Sequence, residues 1–405
     1  MIIGESPEKT PAKLRILMLA WEYPPHMIGG LARAVCDLSR HLTAKGHQVH
    51  VITGQSAVSP LFETMEGVHI HRAQGLHSLE RLDFIDWVFQ MNLAFVDAIH
   101  NLTAQGVDFD LVHAHDWLVY YAARACKKTY KLPLIATIHA TEFGRNQGLL
   151  ETELQKRINR LEGKLVLEAD QIIVCSHAMV KEVSQLFSLP SDQIARIPNG
   201  VEPYLESGLD SDLVSPFLLE IINPLKDELL VCYLGRLVYE KGVHILIEAI
   251  GLVAAQIPQV KLLIAGIGPA QEWLEELASS HAEHVQFLGF LADIDKHYLL
   301  KQSVLFVAPS LYEPFGISLL EAMASGTPVI VSEVGGLTEI VKHEVNGCIV
   351  PPNDARALAF QIMELLQAPE YGIQLGETAR ANVAIDFNLS HIADATVKCY
   401  LTLMA

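Results

Sequence analysis

Two glutamates, Glu313 and Glu321, stand with seven residues between them in the stretch EPFGISLLE. Two cations, Arg236 and Lys241, stand five apart in GRLVYEKG, each beside a glycine. An ionised carboxylate only accepts hydrogen bonds, so a pair of them suits the donating hydroxyls of sugars and ribose. A guanidinium grips phosphate oxygens with two donors, while an ammonium serves as a point charge. Fixed cations also stabilise the negative charge that builds on a diphosphate as it leaves. Gly29-Gly30, between an apolar run and a helical pattern, lets backbone N–H groups come close to a phosphate. That pair is not a GxGxxG fingerprint, so a dinucleotide site is not supported. Hydroxyl acceptors, phosphate cations and a glycine loop together describe what an activated nucleotide sugar requires.

The elements that must position these residues follow from hydrophobic periodicity. Val304–Ala308 is short and wholly apolar, as in a buried parallel strand, and Pro309 stops it. Glu313 then falls in the loop at the strand's carboxyl end. Gly316, Ile317 and Ser318 open a helix whose first N–H groups are unpaired, and Glu321 lies one turn in. Gly326 and Pro328 end that helix, and Pro328–Ser332 reads as the next strand. Leu229–Leu234 is the strand ahead of Arg236, and Leu14–Leu19 the strand ahead of the glycine pair. Val260–Ala265 precedes Gly266-Ile-Gly268, and His284–Phe290 runs into Leu291. Asp110–Ala114 leads into His113-Ala-His115-Asp116-Trp117, and Pro133–Ile138 ends at His139. The two histidines of the first segment are expected on opposite faces of their strand, unable to share a metal. Strands alternating with helices imply parallel sheets covered on both faces, with a ligand crevice at the strands' carboxyl ends. From the residues alone, a plain βαβ unit with solvated glutamates and a structural His139 remains an open alternative.

The same residues resemble family 4 retaining glycosyltransferases, glycogen-synthase-like enzymes among them, whose signature is two glutamates separated by seven residues. The likeness covers most of the chain: Gly29-Gly30, HAHDW at 113–117, His139, PNGVE at 198–202, G-R-x4-K-G at 235–242 and EPFGISLLEAMASGTPVI. It implies an α/β protein of the GT-B fold, two Rossmann-like doubly wound parallel-sheet domains facing a central cleft. Residues 13–203 would form the acceptor domain, 204–385 the donor domain, and 386–405 a helix crossing back to the first. The resemblance assigns the transferred sugar to Glu313, beside Phe315, Gly316, Ile317 and Ser318. It assigns the ribose to Glu321, the diphosphate to Arg236 and Lys241, and closure over the phosphates to Gly29 and Gly30. Gly266, Phe290 and Leu291 would meet the base, largely through backbone. His139 would lie near the sugar's primary hydroxyl and Asp116 in the cleft, with His115 a lesser candidate. The catalytic set so implied is Glu313, His139, Asp116, Arg236 and Lys241.

Met27 stands where bacterial starch and glycogen synthases carry a lysine, and Glu321 where those synthases usually lack a glutamate. Both departures point away from an ADP-glucose-dependent glycogen synthase. The activity implied is retaining transfer of a hexosyl, expected glucosyl, group from UDP-glucose to a glycan, lipid-linked or small-molecule hydroxyl, as in polysaccharide or exopolysaccharide synthesis. No cofactor beyond this co-substrate is expected. Rivals are a nucleotide-sugar 2-epimerase of the same fold, an ADP-glucose-dependent glycogen synthase, a pyridoxal-phosphate phosphorylase and a non-catalytic sensor.

At 405 residues, half of them hydrophobic, the chain has room for two large cores. Residues 1–12 read as a disordered leader without the basic start and apolar core of a signal peptide. The six cysteines show no paired or metal spacing, as expected of reduced thiols in the cytoplasm. Net charge is −18 and unevenly spread: residues 1–200 hold 19 Lys and Arg against 21 Asp and Glu, residues 201–405 hold 10 against 26. No basic domain exists to neutralise a nucleic acid. Arg157, Arg160 and Lys164 share one face of a helix expected over 150–169, placed for an anionic acceptor or the inner membrane face. Asp-x-Asp triplets at 108–110, 210–212 and 293–295 are read as solvated acids, and turnover is expected without added metal.

Overall fold

The computed structural model of the chain describes residues 13–56, 59–75, 83–202 and 213–404. The leader expected at 1–12 and the triplet at 210–212 lie outside the described residues. Among the described residues the strands form two sheets. The first contains β1 (Arg15–Leu19), β2 (Gln48–Gly54), β3 (Phe62–Met65), β4 (Val68–Ala73), β5 (Leu111–His115), β6 (Leu134–Ile138), β7 (Gln171–Val174) and β8 (Ile194–Arg196). Its order is β3-β4-β2-β1-β5-β6-β7-β8, parallel except for the β3–β4 hairpin. The second contains β9 (Leu229–Leu234), β10 (Val260–Ala265), β11 (Val285–Gly289), β12 (Leu305–Ala308), β13 (Val329–Ser332) and β14 (Cys348–Val350). Its order is β11-β10-β9-β12-β13-β14, parallel throughout. Helices cover both sheets, so the architecture is α/β of the GT-B kind, and strands such as β5, β6, β12 and β13 are buried along their whole length.

Two stretches depart from the sequence reading. The β3–β4 hairpin was not anticipated; Glu66 and Gly67, both at positive φ, turn the chain between Met65 and Val68. A helix at Pro216–Ile222, ahead of β9, was likewise not anticipated. Ser215 caps it by accepting the Leu218 N–H, Pro216 opens it, and Leu218 and Ile222 bury its apolar side.

The last helix, Leu389–Met404, packs against the helix Gly30–Ala44 and shares a hydrophobic cluster with β1 and β2. Tyr400 at its buried face hydrogen-bonds His113 of β5 at 2.7 Å. Lys45 pairs with Asp394 at 2.7 Å. The chain's end is thereby tied to the first sheet after its second has been completed.

Candidate active site

Both sheets present the carboxyl ends of their strands to the same gap. On the second sheet, three loops are pressed together behind Glu313. Lys241 ends the 3-10 turn Tyr239–Lys241, and Gly242 follows with φ +67. A Cβ at Gly242 would lie 2.0 Å from the Pro309 carbonyl oxygen, so only glycine permits this approach of the two loops. The Leu311 and Tyr312 N–H groups both donate to the Glu240 carbonyl, and Gly336 N–H donates to that of Glu313. The result is a Lys241 ammonium 2.7 Å from Glu313 Oε2, with Ser310 Oγ at 3.4 Å from the same oxygen.

The glycine loop of the first sheet meets this constellation from across the gap. Where a Cβ would stand on Gly29, Arg236 Cδ is 3.5 Å away; on Gly30, Ile317 Cδ1 is 3.1 Å away. The structure therefore brings Gly29, Gly30, Arg236 and Ile317 to one place. Gly266 N–H donates to the Gly289 carbonyl, which joins the ends of β10 and β11 beside Phe290 and Leu291. Phe290 is exposed and Leu291 buried, while Phe315 turns inward against Phe387. Ser318 lies in the first turn of the helix Ile317–Ala324.

Glu321 is buried one turn into that helix and accepts from Lys296 at 3.2 Å. Lys296 also pairs with Asp293 at 2.8 Å, and Asp293 reaches across the gap to Arg33 at 2.5 Å. Arg33 is held in turn by Asp37 at 2.7 Å. Burial works against the Lys296 ammonium, but Glu321 and Asp293 outweigh it and lift its pKa. The reading of the 293–295 triplet as solvated acids is thus corrected. Asp293 is held between two cations, and Asp295 is buried and accepts the Ser215 N–H at 2.8 Å. In the triplet at 108–110, Asp110 is likewise paired with Arg15, at 2.7 Å.

On the first sheet, Asp116 and His139 stand at the ends of β5 and β6. Asp116 has φ +62 and ψ 172, a backbone region costly for a residue with a Cβ, and its Oδ1 accepts the His139 N–H at 2.8 Å. His139 Nε2 faces His115 Nδ1 at 3.1 Å. His113 and His115 are not on opposite faces: their rings are centred 4.1 Å apart, because residues two apart in a strand share a face. Burial pushes His113 down to about 3, His115 well below the ordinary range, and His139 down despite Asp116. These imidazoles are neutral at pH 7. Half-buried Arg145 lies among Asp116, Glu162, Tyr312 and Glu142, which raise its pKa against the effect of burial.

The two lobes touch around the Glu313 loop. Ser176 Oγ donates to the Pro314 carbonyl at 2.7 Å, and Glu339 accepts the His177 and Ala178 N–H groups at 2.9 Å each. Tyr312 donates to Glu182 at 2.8 Å and accepts from the Thr141 N–H at 3.3 Å. Elsewhere, Arg157 pairs with Asp83 at 3.2 Å, while Arg160 and Lys164 are exposed.

Residues 28–204 match the family described as Glycosyltransferase Family 4, and residues 216–382 that described as Glycosyl transferases group 1. A glycogen synthase of Mycobacterium tuberculosis (strain ATCC 25618 / H37Rv) is 37% identical over 96% of this chain and 94% of its own length. The chain belongs to the family 4 glycosyltransferases. An uncharacterised glycosyltransferase of Methanocaldococcus jannaschii is 34% identical over 96% of this chain and 98% of its own. Among solved structures, sucrose-phosphate synthase from Thermosynechococcus elongatus superposes with a TM-score of 0.81 at 27% identity, covering 97% of this chain and 99% of that one.

In this glycosyltransferase the sequence singled out Glu313, Lys241, Arg236 and the glycine pair, which the structure brings together at the gap. It missed Arg33, Arg145, Lys296 and Tyr312, of which only Tyr312, adjoining Glu313, carried a signal in its position. Among the described residues no helix is long and apolar enough to cross a membrane.

Proposed function

We propose that this glycosyltransferase moves a glucosyl group from UDP-glucose to a hydroxyl of a glycan with retention of anomeric configuration. The observation that carries the reading is the contact between Lys241 and Glu313 at the mouth of the gap, 2.7 Å apart. A hydroxyl acceptor and a phosphate cation so close match a donor's sugar and its diphosphate. In this reading Glu313 orients sugar hydroxyls and Glu321 accepts from the ribose. Arg236, Lys241 and the Gly29-Gly30 N–H groups take up charge on the departing diphosphate. His139, neutral and held by His115, faces the sugar beside Asp116. In this reading the leaving phosphate accepts the proton of the incoming hydroxyl on the same face. Because two cations already serve the diphosphate, turnover needs no added metal; restoration of a chelated enzyme only by a divalent ion would overturn that.

ADP-glucose is the second reading, supported by the 37% identical relative named glycogen synthase. Initial rates with UDP-, ADP- and GDP-glucose over glucan and small-molecule acceptors decide between the donors, with Glu313→Ala as control. Product with inverted configuration, or a Glu313→Ala enzyme at near-normal rate, would overturn the proposal. Sugar isomerised without an acceptor would identify a 2-epimerase instead. A cytoplasmic location, with Arg160 and Lys164 contacting an anionic membrane, is a further proposal; failure to sediment with anionic vesicles would remove the membrane contact.

A further inference from the structure

Glu22 lies just past the carboxyl end of β1, in the chain that leads to the glycine loop, and is 2% exposed. Its Oε2 accepts the Ile28 N–H at 2.5 Å, and the Gly29 and Ala32 N–H groups also favour its charged form. These are the N–H groups of the loop and of the first turn of the helix Gly30–Ala44, whose own N-cap, Gly29, supplies no side-chain acceptor. A helix start holds a partial positive charge that an anion satisfies. Here a buried carboxylate from the same chain fills that role. Arg236, across the gap, is the charged side chain that draws it. Burial is the larger influence and lifts the carboxyl to about 7 against all four attractions.

On the reading given above, the donor's diphosphate comes to the N–H groups of Gly29 and Gly30, the first of which is among those that favour the charged Glu22, and to Arg236. Two anions in one covered site raise each other's proton affinity. We propose that Glu22 is a positioning residue of the donor site: ionised, it holds the glycine loop of the empty cleft, and it takes one proton from solvent when a nucleoside diphosphate arrives. The only bond made is the carboxyl O–H. The loop N–H groups and Arg236 are released to the phosphate, and the protonated carboxyl becomes a donor beside it. The loop is thus kept in its phosphate-ready shape without a standing negative charge in the loaded site.

Calorimetric titration at pH 8 with UDP, ADP and GDP, in two buffers of different ionisation enthalpy, reads the proton directly. About nine-tenths of Glu22 is ionised at that pH in the free enzyme. Wild type should take up close to one proton per nucleotide, and its Kd should rise about tenfold per pH unit above pH 8. Glu22→Gln should bind with no uptake and a flat pH profile. A protonated-carboxyl band should appear in the infrared difference spectrum of wild type on adding the nucleotide, which keeps the test independent of how the variant folds. Binding without proton uptake, or equal uptake in the Gln variant, overturns the role of Glu22. No binding of any of the three nucleotides overturns the nucleotide-site reading on which it rests, a distinguishable result.

Discussion

Lys296→Met and Glu321→Gln, made singly and together, test whether the buried end of the cross-gap charge chain acts as a unit. Lys296 Nζ and Glu321 Oε1 are 3.2 Å apart, with side chains 17% and 6% exposed. At an effective dielectric near 20, charges at that spacing attract by about 5 kcal/mol, and desolvation cancels part of it. Asp293, 53% exposed, adds little to Lys296 on its own. Removing the ammonium alone strands the Glu321 carboxylate in a covered site, which costs about 3 kcal/mol. For a domain of this size that is a drop in Tm of roughly 6–12 °C. Removing both charges leaves an amide beside a thioether, with no orphaned ion, so the double variant should recover about half of that loss. Thermal shift in parallel with urea unfolding measures the cycle, and UDP affinity should fall with Lys296→Met because Glu321 loses its orienting partner. If the two single losses simply add in the double variant, the side chains do not interact as described and the reasoning fails.

Two further outcomes follow from single positions. Gly242→Ala places a methyl 2.0 Å from the Pro309 carbonyl at φ +67, so it should destabilise the fold by about 2–3 kcal/mol and separate Lys241 from Glu313; an unchanged urea midpoint with full activity would refute the account of that junction. Glu162 is 1% exposed, and burial lifts its carboxyl from 4.5 to about 8 despite Arg145 and the Glu142 N–H. Its contribution is therefore present below pH 4.5 and lost as pH rises through 8. Glu162→Gln should raise Tm at pH 8 and change it little at pH 5, a contrast that an equal shift at both values would disprove. Buried His113, His115 and His139 act with the opposite sign, costing stability as pH falls below the ordinary imidazole range.

Much of the fold was legible because the buried parallel strands are continuous apolar runs. Leu229–Leu234 and Val260–Ala265 were read with the bounds the structure shows. The hairpin at Phe62–Ala73 was missed, since an edge pair with alternating polar residues has no such run. The helix at Pro216–Ile222 was hidden by the acidic residues on either side of it. At the site, glutamates, cations and glycines announced themselves through local spacing and through their position after strands.

What the sequence by itself determined is which residues stand at the carboxyl ends of strands: Glu313, Arg236, His139, Asp116 and the Gly29-Gly30 loop. Periodicity and turn chemistry are local, so chain direction alone carries that information. Only the tertiary structure decided who meets whom: Lys241 with Glu313, Arg33 with Asp293 across 260 residues of chain, and Glu22 with the loop and Arg236. Such partnerships depend on sheet order and on how the lobes dock, and burial then sets the charge states, none of which leaves a local mark on the residues involved.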